Sequence, residues 1–283
     1  MAYFKTTFET LGEAIRGAES PAKPSWASRS SRDDSNKSWS GSATFSEAMG
    51  LARQGWPSGR AKMVQAVSAA AMTAGFAKAP SYDLDVSGAY PIPALAAAGE
   101  LLCMVNPAPV SERAKPIVKI TVAACVSAMV NESDIFNYGA ALLAFVDGLE
   151  QADIRVELSV CYTNTAMGLK GEGCFLIGFK QADEALDLDK AAFVLASPAM
   201  FRRLVFSLYE LHLPEQFQNG YGSPRDPKAG LDYDADALLL PSCQSFKGGL
   251  RTPADAFKTI APVIETLLQD RYAGFPPLSF EAR

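Results

Sequence analysis

Histidine is almost absent from this chain of 283 residues, where His212 stands alone. A single imidazole excludes a histidine-rich metal site, or a two-histidine mechanism, built within one chain. Cysteine is sparse as well. Cys103, Cys125, Cys161, Cys174 and Cys243 include no CxxC pair and no zinc-ribbon spacing. No metal site and no cofactor is therefore expected. The odd count and the apolar, strand-like surroundings of four of them point to buried free thiols in a reducing cytoplasm. There is no long Lys/Arg run, and the net charge is −5. That balance provides no general attraction to DNA, RNA or an anionic membrane. No apolar run reaches the roughly 18 residues of a membrane span. The start of the chain carries Glu9 and Glu13 and no continuous apolar stretch, so it does not read as a secretory signal. A phosphate loop is missing too. Residues 168–173 read GLKGEG, with the lysine ahead of the second glycine and a strand to follow, which is the pattern of a hairpin or tight turn.

What is present is an ordinary globular composition, 48% apolar and 20% charged, long enough for a sizeable core. Phe4, Phe8, Leu11 and Ile15 fall at helical spacing, so residues 1–18 are expected to be one amphipathic helix. Residues 19–44 are rich in serine, proline and mixed charge and form a linker or arm. Trp26 and Trp39 within it are candidate anchors onto the core or a partner. Residues 45–114 read as a helical and extended module packed on the core. Thr44 and Glu47 make a capping box for its first helix, which Gly55 and Pro57 end. Asp83 and Asp85 alternate with apolar residues and read as the outward charges of a solvated edge strand.

Residues 115–283 form the core domain. Strand, loop, helix and strand follow one another over 115–163, which is a βαβ unit. Further strands are expected at 173–181 and 235–241. Helices are expected at 189–196, at 198–211 and at 252–271, the last with Thr252 as cap and Pro253 at its first position. The first strand, 117–124, is apolar enough for a sheet buried on both faces. The fold class is thus α/β, a mostly parallel sheet flanked by helices, with an N-terminal helical extension.

Residues 115–271 resemble a von Willebrand factor A-type, Rossmann-like domain. That family opens a metal site after its first strand with Asp-x-Ser-x-Ser. Here the place reads Ala-Ala-Cys-Val-Ser-Ala over residues 123–128, so Ser127 matches one serine and the aspartate is missing. The resemblance therefore implies the scaffold without its metal. The whole chain also resembles an uncharacterised family of bacteriophages and mobile elements. The likeness rests on Phe45-Ser-Glu-Ala-Met, Gly55-Trp56, Asp85-Val86-Ser87-Gly88, Cys103-Met104, Asn137-Tyr-Gly-Ala-Ala and Ser197-Pro-Ala-Met-Phe-Arg-Arg. It implies a genomic setting and no activity, with the host cytoplasm, or a virion, as the location.

A ligand or partner site in an open α/β sheet is sought outside the carboxyl ends of the strands. That rim collects Ser127, Asn131, Tyr162, Thr163, Asn164, Ser242 and Gln244, all polar and uncharged. No catalytic residue stands out. Arg202 and Arg203 are adjacent on a helix, so one is expected to meet an acidic neighbour and the other solvent. Cys125 would need His212 as its base, far away in sequence. The reading that follows is a non-enzymatic protein-interaction or assembly protein, its partner another protein or a second copy. The alternative is a nucleotide- or small-molecule-binding enzyme using the rim and the 214–234 loop, with Asp232, Asp234 and Asp236 as its carboxylates. A nucleic-acid-associated role ranks third, and no membrane role is expected.

Overall fold

A computed structural model describes residues 2–21, 30–74, 84–87, 90–105, 116–127, 130–151, 154–165, 171–214, 221 and 223–272. The chain opens with strand β1 (Ala2–Phe8) and helix α1 (Leu11–Ala18). Two short 3-10 turns, Ser30–Arg32 and Asp34–Asn36, lead through the one-turn α2 (Lys37–Ser40) into α3 (Phe45–Gln54) and α4 (Pro57–Ala74). A small unit follows, made of β2 (Leu84–Asp85), β3 (Tyr90–Pro91), α5 (Pro93–Ala97) and β4 (Met104–Val105). The core then runs β5 (Ile117–Ala123), α6 (Glu132–Gln151), β6 (Arg155–Thr165), β7 (Gly171–Lys180) and α7 (Leu188–Ala196). A π-type helix over Met200–Val205 continues directly into α8 (Phe206–His212). Strands β8 (Ser223–Pro224) and β9 (Leu238–Leu240), a 3-10 turn at Cys243–Phe246 and helix α9 (Pro253–Arg271) complete it.

The main sheet has six strands in the order β1-β7-β6-β5-β9, with β8 pairing the end of β6. β5 is parallel to β6 and to β9, and β1 is parallel to β7, but β6 and β7 are antiparallel. The sheet is therefore mixed and not purely parallel, with β8 also antiparallel to β6. The reason is local. A parallel partner needs a crossover of a dozen or more residues, and the few residues between Thr165 and Gly171 allow only a hairpin. The hairpin expected near 168–173 is thus present as a strand pair, although Gly168 and Lys170 lie outside the described residues.

The N-terminus departs most from expectation. Residues 2–8 are an edge strand, registered from Ala2 on Gly171 to Phe8 on Ile177. A spacing of four suits a period of 2 as well as one of 3.6, so Phe4 and Phe8 fit either structure. As a strand they set both rings against Phe175, at 5.8 and 6.4 Å. The helix starts only at Leu11, where the Thr10 hydroxyl accepts from the Glu13 amide and the Glu13 carboxylate accepts from the Glu9 amide.

Helices cover one face of the sheet. α6 is apolar on nearly every side, because it packs against β6, α4, α7 and α9. Gly139 permits its close approach to α7, where an added Cβ would sit 2.9 Å from the Leu195 carbonyl oxygen. Among the described residues no helix covers the opposite face. It carries Lys119, Glu157 and Ser159, all partly exposed, and its far half is crossed by the segment 225–237. Among the described residues no single helix is long and apolar enough to cross a membrane.

Candidate functional site at the carboxyl end of the central strand

After β5 the chain leaves the sheet. The Ala124 amide still donates to the Cys161 carbonyl at 3.0 Å, and the Ser127 amide donates to Gln244 Oε1 at 3.1 Å. Facing this loop stands the π-type helix. Such wide turns are uncommon and recur at functional sites. Here the turn carries Phe201, Arg202 and Arg203, and both arginines are buried.

Arg203 is wholly buried. Its guanidinium donates to the carbonyls of Ser31 (2.9 Å), Asp33 (3.2 Å) and Ser42 (3.2 Å), with the Asp34 carboxylate 3.9 Å away. Buried Glu210 accepts from the Ser31 amide at 3.0 Å and from the hydroxyls of Ser31 and Tyr221, each at 2.5 Å. The arm is thus clamped from both sides over residues 31–42. Arg202 donates to the Trp39 carbonyl and lies over the Trp39 ring, 4.7 Å from its centre. The ring rests on Phe206 at 5.8 Å. Trp39 therefore anchors the arm onto its own core, whereas Trp26 lies outside the described residues. The expectation that one arginine faces solvent fails, because the arm covers both.

These elements enclose a crevice of about 440 Å³ lined by Trp39, Phe201, Phe206 and Tyr221, with Cys125 and Val126 at its base and Ser127 and Ser223 beside them. Arg202 borders it and also borders a second, smaller cavity of about 40 Å³ among Val122, Ile135, Tyr138 and Tyr162. The rings brace one another. Phe206 stacks on Tyr221 at 3.7 Å, and Phe201 on Tyr162 at 5.5 Å. Burial pulls the Arg202 guanidinium below its ordinary pKa, and Glu132 opposes this. Burial pushes the Cys125 thiol up to about 12, so at neutral pH it is a thiol and a poor nucleophile.

The rim foreseen from sequence is only partly assembled. Ser127 lines the crevice, Gln244 holds the Ser127 amide, and Tyr162 lines the smaller cavity. Thr163 and Asn164 are buried and spent on structure. The Thr163 hydroxyl donates to the Arg225 carbonyl (2.5 Å), and Asn164 Nδ2 donates to the Tyr221 carbonyl (3.0 Å). Both bonds fix the segment that supplies Tyr221 and Ser223. Ser242 is buried ahead of a 3-10 turn, and Asn131 is exposed just before α6. Phe206, Arg202 and Tyr221 were not foreseen. The available signal was an arginine pair in an apolar helix, FRRLVF, with no carboxylate within a turn.

The three aspartates of the 232–236 segment do not form one site. Asp232 is fully buried and accepts both arms of the Arg225 fork at 2.5 and 2.7 Å, the Tyr3 hydroxyl at 2.7 Å and the Lys228 amide at 2.7 Å. Burial opposes its ionisation, yet these donors together hold its carboxyl below the usual range. Asp234 pairs with Lys119 at 2.7 Å, and Asp236 is exposed 3.8 Å from Arg271. Cys125 and His212 are not partners, because His212 Nε2 bonds to the Gly17 carbonyl at 3.0 Å. Asp83 lies outside the described residues. Among those described, no three metal-ligating side chains converge.

A family model for a domain of unknown function, DUF7192, matches residues 2–262. The chain belongs to this family. The match runs from β1 into α9, so the edge strand, the arm and the sheet all fall within one family unit. No curated protein and no solved structure matches the chain.

Proposed function

We propose that this protein acts by binding rather than by catalysis, and that its site is the aromatic crevice beyond the carboxyl end of β5. The observation that carries this reading is the cavity of about 440 Å³ walled by four aromatic side chains and bordered by a buried arginine. Ligand sites in α/β proteins lie at this place, and their walls are mostly apolar with a few polar groups. The thiol at its base is held protonated, which suits a wall better than a nucleophile. The scaffold beneath is read as a von Willebrand A-like core in which Ala123 or Cys125 stands where that family's metal aspartate would be. The test is a fragment screen by protein-observed NMR on the intact chain. Hits should shift the signals of Trp39, Ser127 and Ser223 together. Fragments that bind elsewhere, or none that bind, would overturn the reading.

A second reading is an assembly or interaction protein of a phage or mobile element, with another protein or a second copy as partner. It is favoured by Val86, Leu101 and Leu102, which are 63%, 82% and 52% exposed on the small β2–β4 unit. Exposed apolar patches mark interaction surfaces. Replacing Leu101 and Leu102 with aspartate should then change the oligomeric state or abolish capture of the partner, with folding intact.

A further inference from the structure

We propose that the crevice takes a small molecule that combines a planar aromatic ring with an anionic group, the anion set on Arg202. This deepens the binding reading above and rests on it.

The argument begins with Arg202. The residue is 5% exposed, and among the described residues no carboxylate lies within ion-pair distance of it. Its one hydrogen bond among those residues goes to the Trp39 carbonyl. A guanidinium carries five N–H donors, so most of its capacity is unused by the protein. None of its nitrogens is both enclosed and unpartnered, unlike the Nε atoms of Arg203 and Arg225. The remaining nitrogens therefore reach the open space that Arg202 borders, which is the two cavities. Buried charge is costly unless it is paired, and the neutral Trp39 carbonyl and the ring beneath the guanidinium compensate it only in part. An anion in the crevice completes the pairing, and a carboxylate or phosphate matches the fork bidentately.

The walls specify the rest of the ligand. Trp39, Phe201, Phe206 and Tyr221 offer ring surface of the kind that stacks on a flat aromatic group. The Phe206–Tyr221 and Phe201–Tyr162 stacks hold these rings in place before anything binds, which lowers the ordering cost. Ser127 and Ser223 put polar groups at the base and edge. The cavity of about 40 Å³ behind Phe201 is apolar and has room for a small substituent of the ring.

The test uses paired probes on the full-length protein, followed by calorimetry. Adenosine 5′-monophosphate is compared with adenosine, and benzoate with benzyl alcohol, so the arms separate a nucleoside phosphate from a simple aromatic acid. The expected result is that at least one anionic probe binds about tenfold or more tightly than its neutral partner, and that added salt erodes the difference. Arg202→Gln should remove that preference, so that the anionic probe binds no more tightly than its neutral partner. Arg202 also holds Trp39, so a second variant guards against misfolding. Ser223→Trp fills the crevice from its edge without touching the arginine, and it should abolish binding of both members of a pair. Equal affinity of charged and neutral probes, both lost in Ser223→Trp, would overturn the anion assignment and leave the binding reading standing. Absence of any probe binding that Ser223→Trp can remove would overturn both.

Discussion

Arg203 and Glu210 hold a polar segment against an apolar helix by opposite chemistry, the arginine capping carbonyls and the glutamate capping an amide and hydroxyls. Among the described residues no ion pair joins the two, so Arg203 depends on the arm, and Glu210 on the arm together with the Tyr221 hydroxyl. Arg203→Met is expected to take a donor from three arm carbonyls, of which Ser42 keeps the Ser40 hydroxyl, and to cost about 2–4 kcal/mol in urea unfolding. Trypsin should then cut within 19–44 well before the rest of the chain, and unchanged cleavage would show that the clamp does not hold the arm. Asp232 sets a pH dependence. Its folded pKa lies below the usual aspartate value, so its contribution is fully present above the unfolded value, about 4, and is lost as pH falls through the folded one. Wild-type stability should therefore drop below about pH 4, and in Asp232→Asn the drop should be shallower from a lower plateau. Chemical denaturation between pH 2 and 7 distinguishes the two. Asp234→Asn, whose partner Lys119 is half-exposed, should change stability at pH 7 by no more than about 1 kcal/mol.

Single elements divide into those that announce themselves and those that do not. The caps at Thr44 and Thr252 were legible, because capping is decided within four residues by a hydroxyl and an amide. Thr252→Ala is expected to lower stability by about 1 kcal/mol, read as a fall in Tm. β1 was not legible as a strand, because Phe4 and Phe8 satisfy both periods and only the β7 edge chooses between them. Likewise the π-type turn at Met200–Val205 has no sequence mark, and it decides where Phe201 and Arg202 point. The closeness of α6 and α7 depends on a missing side chain. Gly139→Val should force the helices apart and destabilise by about 1–3 kcal/mol, with the loss visible in thermal melts.

Across the whole molecule, the N-terminal segment is part of the core. β1 extends the sheet through β7, α1 packs on α8, and the arm supplies a wall of the crevice. Deleting residues 2–44 removes Trp39, strips Arg203 of its carbonyl partners and takes Ser31 from Glu210, so the remainder should lose cooperative unfolding. A shortened chain that still melts in one sharp transition would separate the segment from the core.

The sequence by itself determined the α/β class, the βαβ unit and most helix boundaries, because periodicity and caps are local. It also pointed to the end of the sheet beside which the crevice lies, since strand ends follow from strand order along the chain. Tertiary structure decided which polar residues meet there. Thr163 and Asn164 went to backbone carbonyls, Asp232 went to Arg225, and Trp39 came from more than a hundred residues away to sit over Arg202. Those pairings depend on which buried groups lack partners once the sheet is formed, and that is a property of the packed molecule rather than of any stretch of its chain.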